Sequence, residues 1–423
     1  MKKKIWTTTN IILLAINTLA NVYSYRIIGI LSITLLIAFY IFNHKDLQLI
    51  FLIETLPFAR TIYIPGLPNI FPILLLTYST ILLIKIKNIS SSSLILSGIL
   101  LVISIINFKL QFVFQNIVWW SQIAFYILII STSEKIKLLD TIKYYIYSFV
   151  FATIIAYIFK DVRLFVTGET NISFDSFSTE RFGGLIGNPV GFVREAIIYI
   201  SVGIILIKDR KESGILLKIS IVLLVLFGFM TLSKTYILLL PIILILYLYI
   251  NKSFRAYLFF AILIILFVFV FKILLIEYYK IFVFRFTASS EGFDSNRTSI
   301  VTSYIKVIPK YLKYLIIGFG TDLNYYKDIG LDYLPHNIFI DTLFSVGIIG
   351  SLVIFIIVIK ELIRRRKNSI YIIPILLLII SSLSINIIGS LFTPYTLFLL
   401  LGVYRYENKS TSANWNVSNN TKP

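Results

Sequence analysis

The sequence predicts an all-α polytopic membrane protein with about 11–14 transmembrane helices and one long extracytoplasmic loop that contains an amphipathic helix. Hydrophobic residues make up 58% of the chain and the mean hydropathy is +0.90, whereas soluble chains are roughly 45–50% apolar. A helix of about 20 apolar residues crosses a bilayer, and apolar runs near this length recur along the whole sequence. One gap between such runs, at residues 277–335, is far longer than the others and is rich in charged and aromatic residues.

The charge pattern predicts how the chain is inserted. The formal charge is +19, and most lysines and arginines lie in short gaps between apolar runs rather than on a soluble face that could bind nucleic acid. This is the pattern of cytoplasmic loops, and it predicts that both termini are cytoplasmic. The first apolar run could be a signal peptide, but further runs follow at once and favour a retained helix. The chain has no cysteine, which excludes disulfides and a thiol nucleophile.

The domain organisation is predicted to be simple. Residues 1–406 are expected to form a single integral membrane domain, with external loops at about 160–186 and 277–335, and residues 407–423 a disordered polar tail. Several apolar runs are short or interrupted by proline, so the number of spans is a range: Pro57, Pro241, Pro374 and Pro394 interrupt them. No internal repeat is visible, which counts against a carrier built from matching halves.

The large loop carries a pattern typical of an interfacial helix. Its apolar residues recur every one, three or four positions and are Ile300, Val301, Tyr304, Ile305, Ile308, Leu312 and Leu315. We expect a helix on the outer membrane face, bent near Pro309, with Lys306, Lys310 and Lys313 on or near its other side. Arg297 stands at the start of this helix, where unpaired backbone N–H groups and a guanidinium together favour an anion. The alternative is an ordinary interfacial cation.

The second external loop ends in TERFGGLIGNPVGFVREAIIYI. Arg181 precedes two glycines, and GNP is typical of a turn that starts a helix. Arg194 and Glu195 follow about two turns inside that apolar helix, where charge is costly and indicates a cavity or a partner; they could equally pair with other buried groups. Lys234, in TLSKT, is a cation at the edge of two apolar runs that could bind an anion or extend to the interface.

Two histidines occur in the chain. His336, where the large loop re-enters apolar sequence, is the candidate for proton transfer, because its unperturbed pKa lies near neutrality. A lone histidine at a helix start can also serve as a cap or a packing residue. His44, in a short connection, is given no role.

These motifs, in this order, resemble the O-antigen polymerase and O-antigen ligase superfamily of bacterial envelope polysaccharide synthesis. The motifs are RFGGLIGNP, TLSKT, DSNRTSIV, IGFGTD and PHNIFIDTLFSVGIIG. They cover about residues 180–350, and the hydropathy pattern covers the whole chain. One departure is Lys234, where the family pattern usually has arginine.

The resemblance implies a multi-pass enzyme of the bacterial cytoplasmic membrane. Such enzymes transfer a glycan from an undecaprenyl-diphosphate carrier to an acceptor hydroxyl at the outer membrane face, without cofactor, metal or nucleotide sugar. The partners implied are that carrier-linked oligosaccharide, membrane lipids and, as further candidates, a flippase and chain-length regulator proteins; nucleic acid is not among them. The polymer would be an O-antigen, capsular or exopolysaccharide.

The resemblance also implies roles for single residues. Arg181 and Arg297 would hold the diphosphate and Lys234 would support them. Arg194, which lies outside the matched part of its motif, is a further candidate to bind the diphosphate. Fixed cations stabilise the negative charge that develops on a leaving diphosphate. A base must take the proton of the attacking hydroxyl, and the candidates are His336, Glu195, Asp294 and Asp332. The loop tyrosines would suit stacking on sugars: Tyr304, Tyr311, Tyr314, Tyr325, Tyr326 and Tyr333.

Three functions remain open at this point. A polymerase extends the chain on a carrier-linked repeat unit, whereas a ligase hands the finished chain to a lipid or protein acceptor. We favour the polymerase for three reasons. The chain is highly apolar, its number of predicted spans is closer to fourteen than to twelve, and it matches the family motifs only loosely. A polysaccharide flippase or another transporter is the alternative of a different class, and it predicts two similar halves.

Overall fold

The computed structural model describes residues 2–66, 68–86, 89, 91–133, 138–159, 171–174, 177–180, 182–209, 214–251, 280, 297–320, 325–335, 337–365, 369–383 and 393–403. The first seven helices are α1 (Lys2–Val22), α2 (Arg26–Ile41), α3 (Lys45–Thr55), α4 (Phe71–Lys85), α5 (Ser91–Ile106), α6 (Val113–Ser133) and α7 (Leu138–Ile158). Short 3-10 helices at Leu56–Phe58 and Leu110–Phe112 lie between them.

The loop that the sequence predicts to be the second external one contains a small β-hairpin. Strands β1 (Asn171–Phe174) and β2 (Phe177–Glu180) pair antiparallel, with Asn171 opposite Glu180. A 3-10 helix at Gly184–Ile186 follows, and three apolar helices come next: α8 (Pro189–Asp209), α9 (Ile215–Met230) and α10 (Lys234–Asn251). The hairpin is the one element of the described residues that the all-α prediction did not include.

The large loop and the C-terminal part supply the remaining elements. Their α-helices are α11 (Arg297–Val307), α12 (Tyr325–Asp328), α13 (Ile338–Arg365), α14 (Ile373–Ser382) and α15 (Thr393–Gly402). Further 3-10 helices lie at Ile308–Tyr311, Tyr314–Ile316 and Ser369–Ile372. The bend that the sequence predicts near Pro309 falls where α-helical geometry changes to 3-10 geometry after Val307.

The predicted fold class, an all-α multi-pass membrane protein, is confirmed. Among the described residues, five helices are long and apolar enough to cross a membrane: Ile5–Val22, Leu110–Thr132, Thr141–Ile158, Pro189–Lys208 and Ile338–Arg364. Six shorter apolar helices accompany them within the same residues. The apolar run at residues 256–276 lies outside the described residues, so the number of 11–14 spans stays a prediction.

The chain divides into two compact units. The first comprises Met1–Phe149 and Ile300–Pro423, and the second comprises Val150–Ser299. The single domain predicted for residues 1–406 stays a prediction, and the tail at 407–423 lies outside the described residues.

The first unit is held by helix packing with internal polar links. Helix α6 packs against α4, α5 and α15, and α1 packs against α2 and α3. Asn17 donates from Nδ2 to Ser32 Oγ at 3.0 Å, and Asn10 donates from Nδ2 to Glu54 Oε2 at 2.9 Å. Where water is excluded, polar side chains need such internal partners, so these bonds fix how α1 sits on its neighbours.

The second unit is organised around α8. This helix packs against both α9 and α10. Its membrane-spanning window, Pro189–Lys208, is 89% buried within the protein, whereas a helix at the edge of a bundle would show one face to lipid. The helix that carries Arg194 and Glu195 is therefore the most enclosed of the five long apolar helices that the structure describes.

Candidate functional site

The GNP turn starts α8 as the sequence predicts. Asn188 is the N-cap residue: its Oδ1 accepts hydrogen bonds from the N–H groups of Val190 at 2.9 Å and Gly191 at 3.1 Å. Pro189 occupies the first helical position, where its missing N–H costs nothing. Gly187 precedes the cap with a φ of 70°, a left-handed conformation that favours glycine. The motif is thus a device for starting a helix at a fixed point.

The RFGG and TLSKT motifs meet in the second unit. Phe182, the residue after Arg181, donates its backbone N–H to the carbonyl of Met230 at 3.2 Å. Its ring also lies 5.5 Å from the rings of Phe192, on α8, and Phe227, on α9. Two motifs that are about fifty residues apart in the sequence therefore adjoin at one end of α8, α9 and α10.

Arg194 and Glu195 form an ion pair inside α8. Arg194 Nε lies 3.6 Å from Glu195 Oε1, and their side chains are only 2% and 0% exposed. Arg194 is five residues after Pro189, which at 1.5 Å per residue places it about 8 Å along the helix. Pairing makes two buried charges tolerable, because each charge offsets part of the desolvation cost of the other. Of the two sequence interpretations, the described geometry corresponds to internal pairing.

The TLSKT motif forms a tight turn between α9 and α10. Thr231 Oγ1 donates to the carbonyl of Gly228 at 2.6 Å and accepts from the N–H of Ser233 at 3.3 Å. Leu232 has a φ of 50°, unusual for a residue other than glycine. Lys234 follows as the first residue of α10 and is half-buried. The positive charge of Lys234 is disfavoured by the helix dipole, whose positive end lies at the helix N-terminus. An anion placed there would be favoured both by the helix dipole and by the lysine.

The glycine motif IGFG of the large loop contacts the glycine motif GIIG of α13. Helix α13 is interrupted at Gly347, which has a φ of 71° and a ψ of −175°. The carbonyls of Phe344 and Ser345, just before the interruption, accept hydrogen bonds from the N–H groups of Phe319 at 2.7 Å and Gly320 at 2.9 Å. A Cβ on Gly347 would lie 2.5 Å from the Gly318 nitrogen. Glycine at both positions lets two backbones touch, and the loop satisfies carbonyls that a broken membrane helix would leave exposed.

The HN motif starts α13 in the way that GNP starts α8. Asn337 Oδ1 accepts from the N–H groups of Phe339 at 3.0 Å and Ile340 at 3.3 Å. Asp341 lies in the first turn of the same helix and is buried. Sequence reasoning did not select Asp341; the signal was an acidic residue in the first turn of an otherwise apolar helix, where the helix dipole favours it.

An aromatic cluster ties the large loop to α13. Tyr304 on α11, Tyr325 on α12 and Phe344 on α13 form it, with ring centroids 5.2 Å apart for Tyr304 and Phe344 and 5.7 Å for Tyr325 and Phe344. Burial, followed by the charge of Asp341, raises the pKa of Tyr325. Tyr304 and Tyr325 are core residues, which is incompatible with the expected stacking on sugars, whereas Tyr314 and Tyr333 are exposed.

Part of the chain is similar to a known protein family. Residues 219–355 match the model of the O-antigen ligase family. That segment of the chain is similar to an O-antigen ligase domain. The resemblance to the O-antigen polymerase and ligase superfamily is thereby confirmed, and it implies a glycan-transferring membrane enzyme of polysaccharide synthesis. No curated protein and no solved structure matches the chain.

The segment that matches the O-antigen ligase family contains some of the predicted site residues and not others. Lys234, Arg297 and His336 lie within 219–355, whereas Arg181 and the Arg194–Glu195 pair precede it. The segment also includes the contact between the two glycine motifs and the Asn337 cap. The RFGGLIGNP motif is therefore a feature of this chain outside the matched segment, although its Phe182 contacts the segment at Met230.

The structure does not describe several of the predicted site residues in and near the matched segment. Arg181, His336 and Asp294 lie outside the described residues, and Arg297 is described only as the first residue of α11, not in its side chain. Asp332, an alternative base, is exposed. Among the described residues no three His, Asp or Glu side chains are grouped so as to hold a metal ion. The assignments of Arg181, Arg297, Lys234, His336 and Glu195 stay predictions.

Proposed function

We propose that this protein is a polymerase that joins undecaprenyl-diphosphate-linked oligosaccharide repeat units at the outer face of the cytoplasmic membrane. The observation that carries the proposal is the match of residues 219–355 to the O-antigen ligase family, a segment that includes Lys234, Arg297 and His336. The growing polymer is an O-antigen, a capsular polysaccharide or an exopolysaccharide.

The proposed reaction is a glycosyl transfer without a covalent enzyme intermediate. The acceptor hydroxyl of one carrier-linked repeat attacks the anomeric carbon of the donor glycan, the bond from that carbon to the diphosphate breaks, and undecaprenyl diphosphate leaves with the bonding electrons. The hydroxyl proton passes to a base. Positioned cations stabilise the charge that develops on the leaving group, and a positioned base contributes roughly 10²–10⁴-fold in rate.

The proposed roles follow the motif positions. Arg297 and Arg181 bind the diphosphate, Arg297 through forked hydrogen bonds and the N–H groups of the first turn of α11. Lys234 supports them from the first turn of α10. His336, next to the Asn337 cap, is the base that we favour. Glu195 is a weaker candidate, since its carboxylate is already paired with Arg194 in an enclosed helix, and Arg194 correspondingly acts on the diphosphate only indirectly, by keeping α8 in place.

The test is complementation of a strain from which this gene has been removed. Arg297→Ala and His336→Ala should each abolish chain extension, while the amount of protein in the membrane is unchanged. Arg297→Lys should also be impaired, because an ammonium does not reproduce the forked contact. Arg26→Ala, at an exposed arginine on α2, is the matched control and should retain full-length polymer. Polymer of normal length made by Arg297→Ala or His336→Ala would exclude the proposed site.

A ligase is the second candidate, because the matching family model is described as O-antigen ligase. The loose match of the sequence motifs favours the polymerase, since polymerases of this superfamily vary with the repeat unit that each one joins. The product that accumulates when the gene is removed separates the two: single repeats on the acceptor for a polymerase, and finished polymer left on the carrier lipid for a ligase. A transporter would leave carrier-linked repeats on the cytoplasmic side.

A further inference from the structure

The segment from Arg297 to Gly320 has two apolar faces rather than one. Its inner face packs against α13: Tyr304 and Leu315 are each 1% exposed and belong to the cluster with Phe344. This inner face is the one that a single amphipathic helix would have turned to the membrane. The structure therefore leaves a different face available to the surroundings.

The outer face is also apolar, and it is exposed. We call the outer stripe Ile305, Leu312 and Ile316, which are 56%, 58% and 50% exposed. Tyr314 lies beside it and is exposed as well. Ile305 lies in α11, Leu312 follows the 3-10 helix Ile308–Tyr311, and Ile316 ends the 3-10 helix Tyr314–Ile316, so the three residues follow one another along the segment. Covering an aliphatic side chain stabilises a protein by about 1.5–3 kcal/mol, and three such side chains exposed along one short segment therefore indicate a contact surface.

Charge decides which contact fits. Lys306, Lys310 and Lys313 lie next to the outer stripe and all three are exposed, while residues 297–320 contain no aspartate or glutamate. An apolar stripe flanked by lysines fits a bilayer surface with anionic headgroups, since the side chains enter the acyl boundary and each lysine attracts phosphate. A symmetric contact between two copies would bring the same lysines face to face, which opposes self-association through this stripe.

We propose that the outer stripe lies in the headgroup layer of the bilayer on the loop's own side of the membrane, with Lys306, Lys310 and Lys313 bound to anionic lipid phosphates. The ligand class is an anionic glycerophospholipid. The α-helical part of the segment, Arg297–Val307, is too short to span a bilayer, which takes about 20 residues, so it lies along the surface. This surface is distinct from the residues that we propose for glycan transfer, and either proposal can fail alone.

The absence of cysteine from the sequence permits a direct test with the full chain. Single variants Ile305→Cys, Leu312→Cys and Ile316→Cys are labelled with a nitroxide and reconstituted in phosphatidylcholine bilayers with or without phosphatidylglycerol. Paramagnetic accessibility is then measured with oxygen, which concentrates in lipid, and with a water-soluble nickel chelate. Asp332→Cys, at an exposed polar position of the same loop, is the control.

The expected result is that the three stripe labels are more accessible to oxygen than to the nickel chelate, and that phosphatidylglycerol increases the difference. The control label should favour the nickel chelate in both bilayers. Stripe labels that behave like the control would overturn the proposal, because the stripe would then face water. Labels shielded from both reagents would also overturn it, because a protein partner or a second copy would then cover the stripe.

The lysines are tested separately. Lys306→Gln, Lys310→Gln and Lys313→Gln combined should remove the part of the accessibility shift that depends on phosphatidylglycerol. Lys327→Gln, at an exposed lysine on α12, should leave that part unchanged. A triple variant that keeps the full phosphatidylglycerol dependence would show that the lysines do not bind the lipid phosphates and would overturn that half of the proposal.

Discussion

Helices α8 and α13 begin alike and continue differently. Each starts with an asparagine whose Oδ1 accepts two backbone N–H groups, Asn188 in GNP and Asn337 in HN. The membrane-spanning window of α8 is then 89% buried, and that of α13 is 39% buried. Helix α8 is unbroken and encloses an ion pair, whereas α13 is broken at Gly347 and carries its Glu361–Arg364 pair, 3.9 Å apart, near one end.

This difference shows that the same helix start can serve two purposes. In α8 it sets the depth of two charges within protein, because the surrounding helices exclude both water and lipid. In α13 it fixes the register of an interrupted helix against the loop that covers the interruption. The cost of a mutation should therefore follow the surroundings of each helix rather than its motif, and the following predictions test that expectation.

The largest effect is expected for the α8 ion pair. Glu195→Gln should lower the free energy of unfolding by about 3–5 kcal/mol, because the guanidinium of Arg194 stays buried after its compensating carboxylate is gone. Glu361→Gln on α13 should cost about 0–1 kcal/mol, because the Arg364 side chain is 30% exposed. Unfolding of the purified protein in detergent measures both, and similar losses would show that the two helices do not differ in this respect.

The next effect is expected at the interruption of α13. Gly347→Ala should cost about 2–4 kcal/mol, because a φ of 71° with a ψ of −175° is essentially restricted to glycine and costs another residue about 1–3 kcal/mol, and because the new Cβ overlaps the Gly318 backbone. Gly330→Ala is the control: Gly330 also has a positive φ, of 76°, but no atom lies within 4 Å of the added Cβ. Equal losses for the two variants, measured by thermal unfolding, would mean that the contact between the glycine motifs adds nothing.

A smaller effect is expected at the two caps. Asn188→Ala and Asn337→Ala should each cost about 1 kcal/mol, because each leaves two first-turn N–H groups without their acceptor. Asn188→Asp and Asn337→Asp retain an acceptor oxygen and should restore most of the loss. Thermal unfolding of the four variants gives the comparison, and a cap whose alanine variant is as stable as the wild type would contradict the shared role of the two asparagines.

The smallest effect at neutral pH is expected in the loop cluster. Tyr304→Phe should cost about 0.5–1 kcal/mol, because the Tyr304 hydroxyl donates to the carbonyl of Tyr333 at 2.7 Å. Burial raises the pKa of Tyr304 above its ordinary value. The folded state therefore holds the proton more tightly than the unfolded state, and this stability is fully present below about pH 10 and lost as the pH rises further. Tyr304→Phe should flatten the alkaline fall in stability, and an unchanged fall would contradict this account.

Much of the fold was predictable from local sequence. The GNP turn, the start of α8 at Pro189 and the end of α-helical geometry near Pro309 follow from the conformational limits of proline, asparagine and glycine, which act within a few residues. The apolar runs predicted a helical membrane protein because the bilayer requires long apolar helices with internally paired backbones. The order of the motifs indicated the superfamily that the match at residues 219–355 confirms.

The candidate site was less predictable, because its contacts join distant parts of the chain. No local pattern indicates that Phe182 donates to Met230 or that Phe319 donates to Phe344. The sequence does not distinguish the loop tyrosines as candidates for sugar stacking, yet Tyr304 is buried and Tyr314 is exposed. Helical periodicity placed Ile305 and Leu312 on the same face as Tyr304, whereas the change to 3-10 geometry and the packing on α13 separate them.

The sequence by itself determined that this chain crosses the membrane repeatedly, where helices start, and which charged side chains lie in or beside apolar segments. These properties follow from hydropathy and backbone conformation, which need no knowledge of neighbours. Only the tertiary structure decided that Arg194 pairs with Glu195 inside an enclosed helix, that two glycine motifs touch, and that the loop keeps an apolar stripe exposed beside its lysines. Burial and pairing depend on which segments pack together, and that is settled by the whole chain at once.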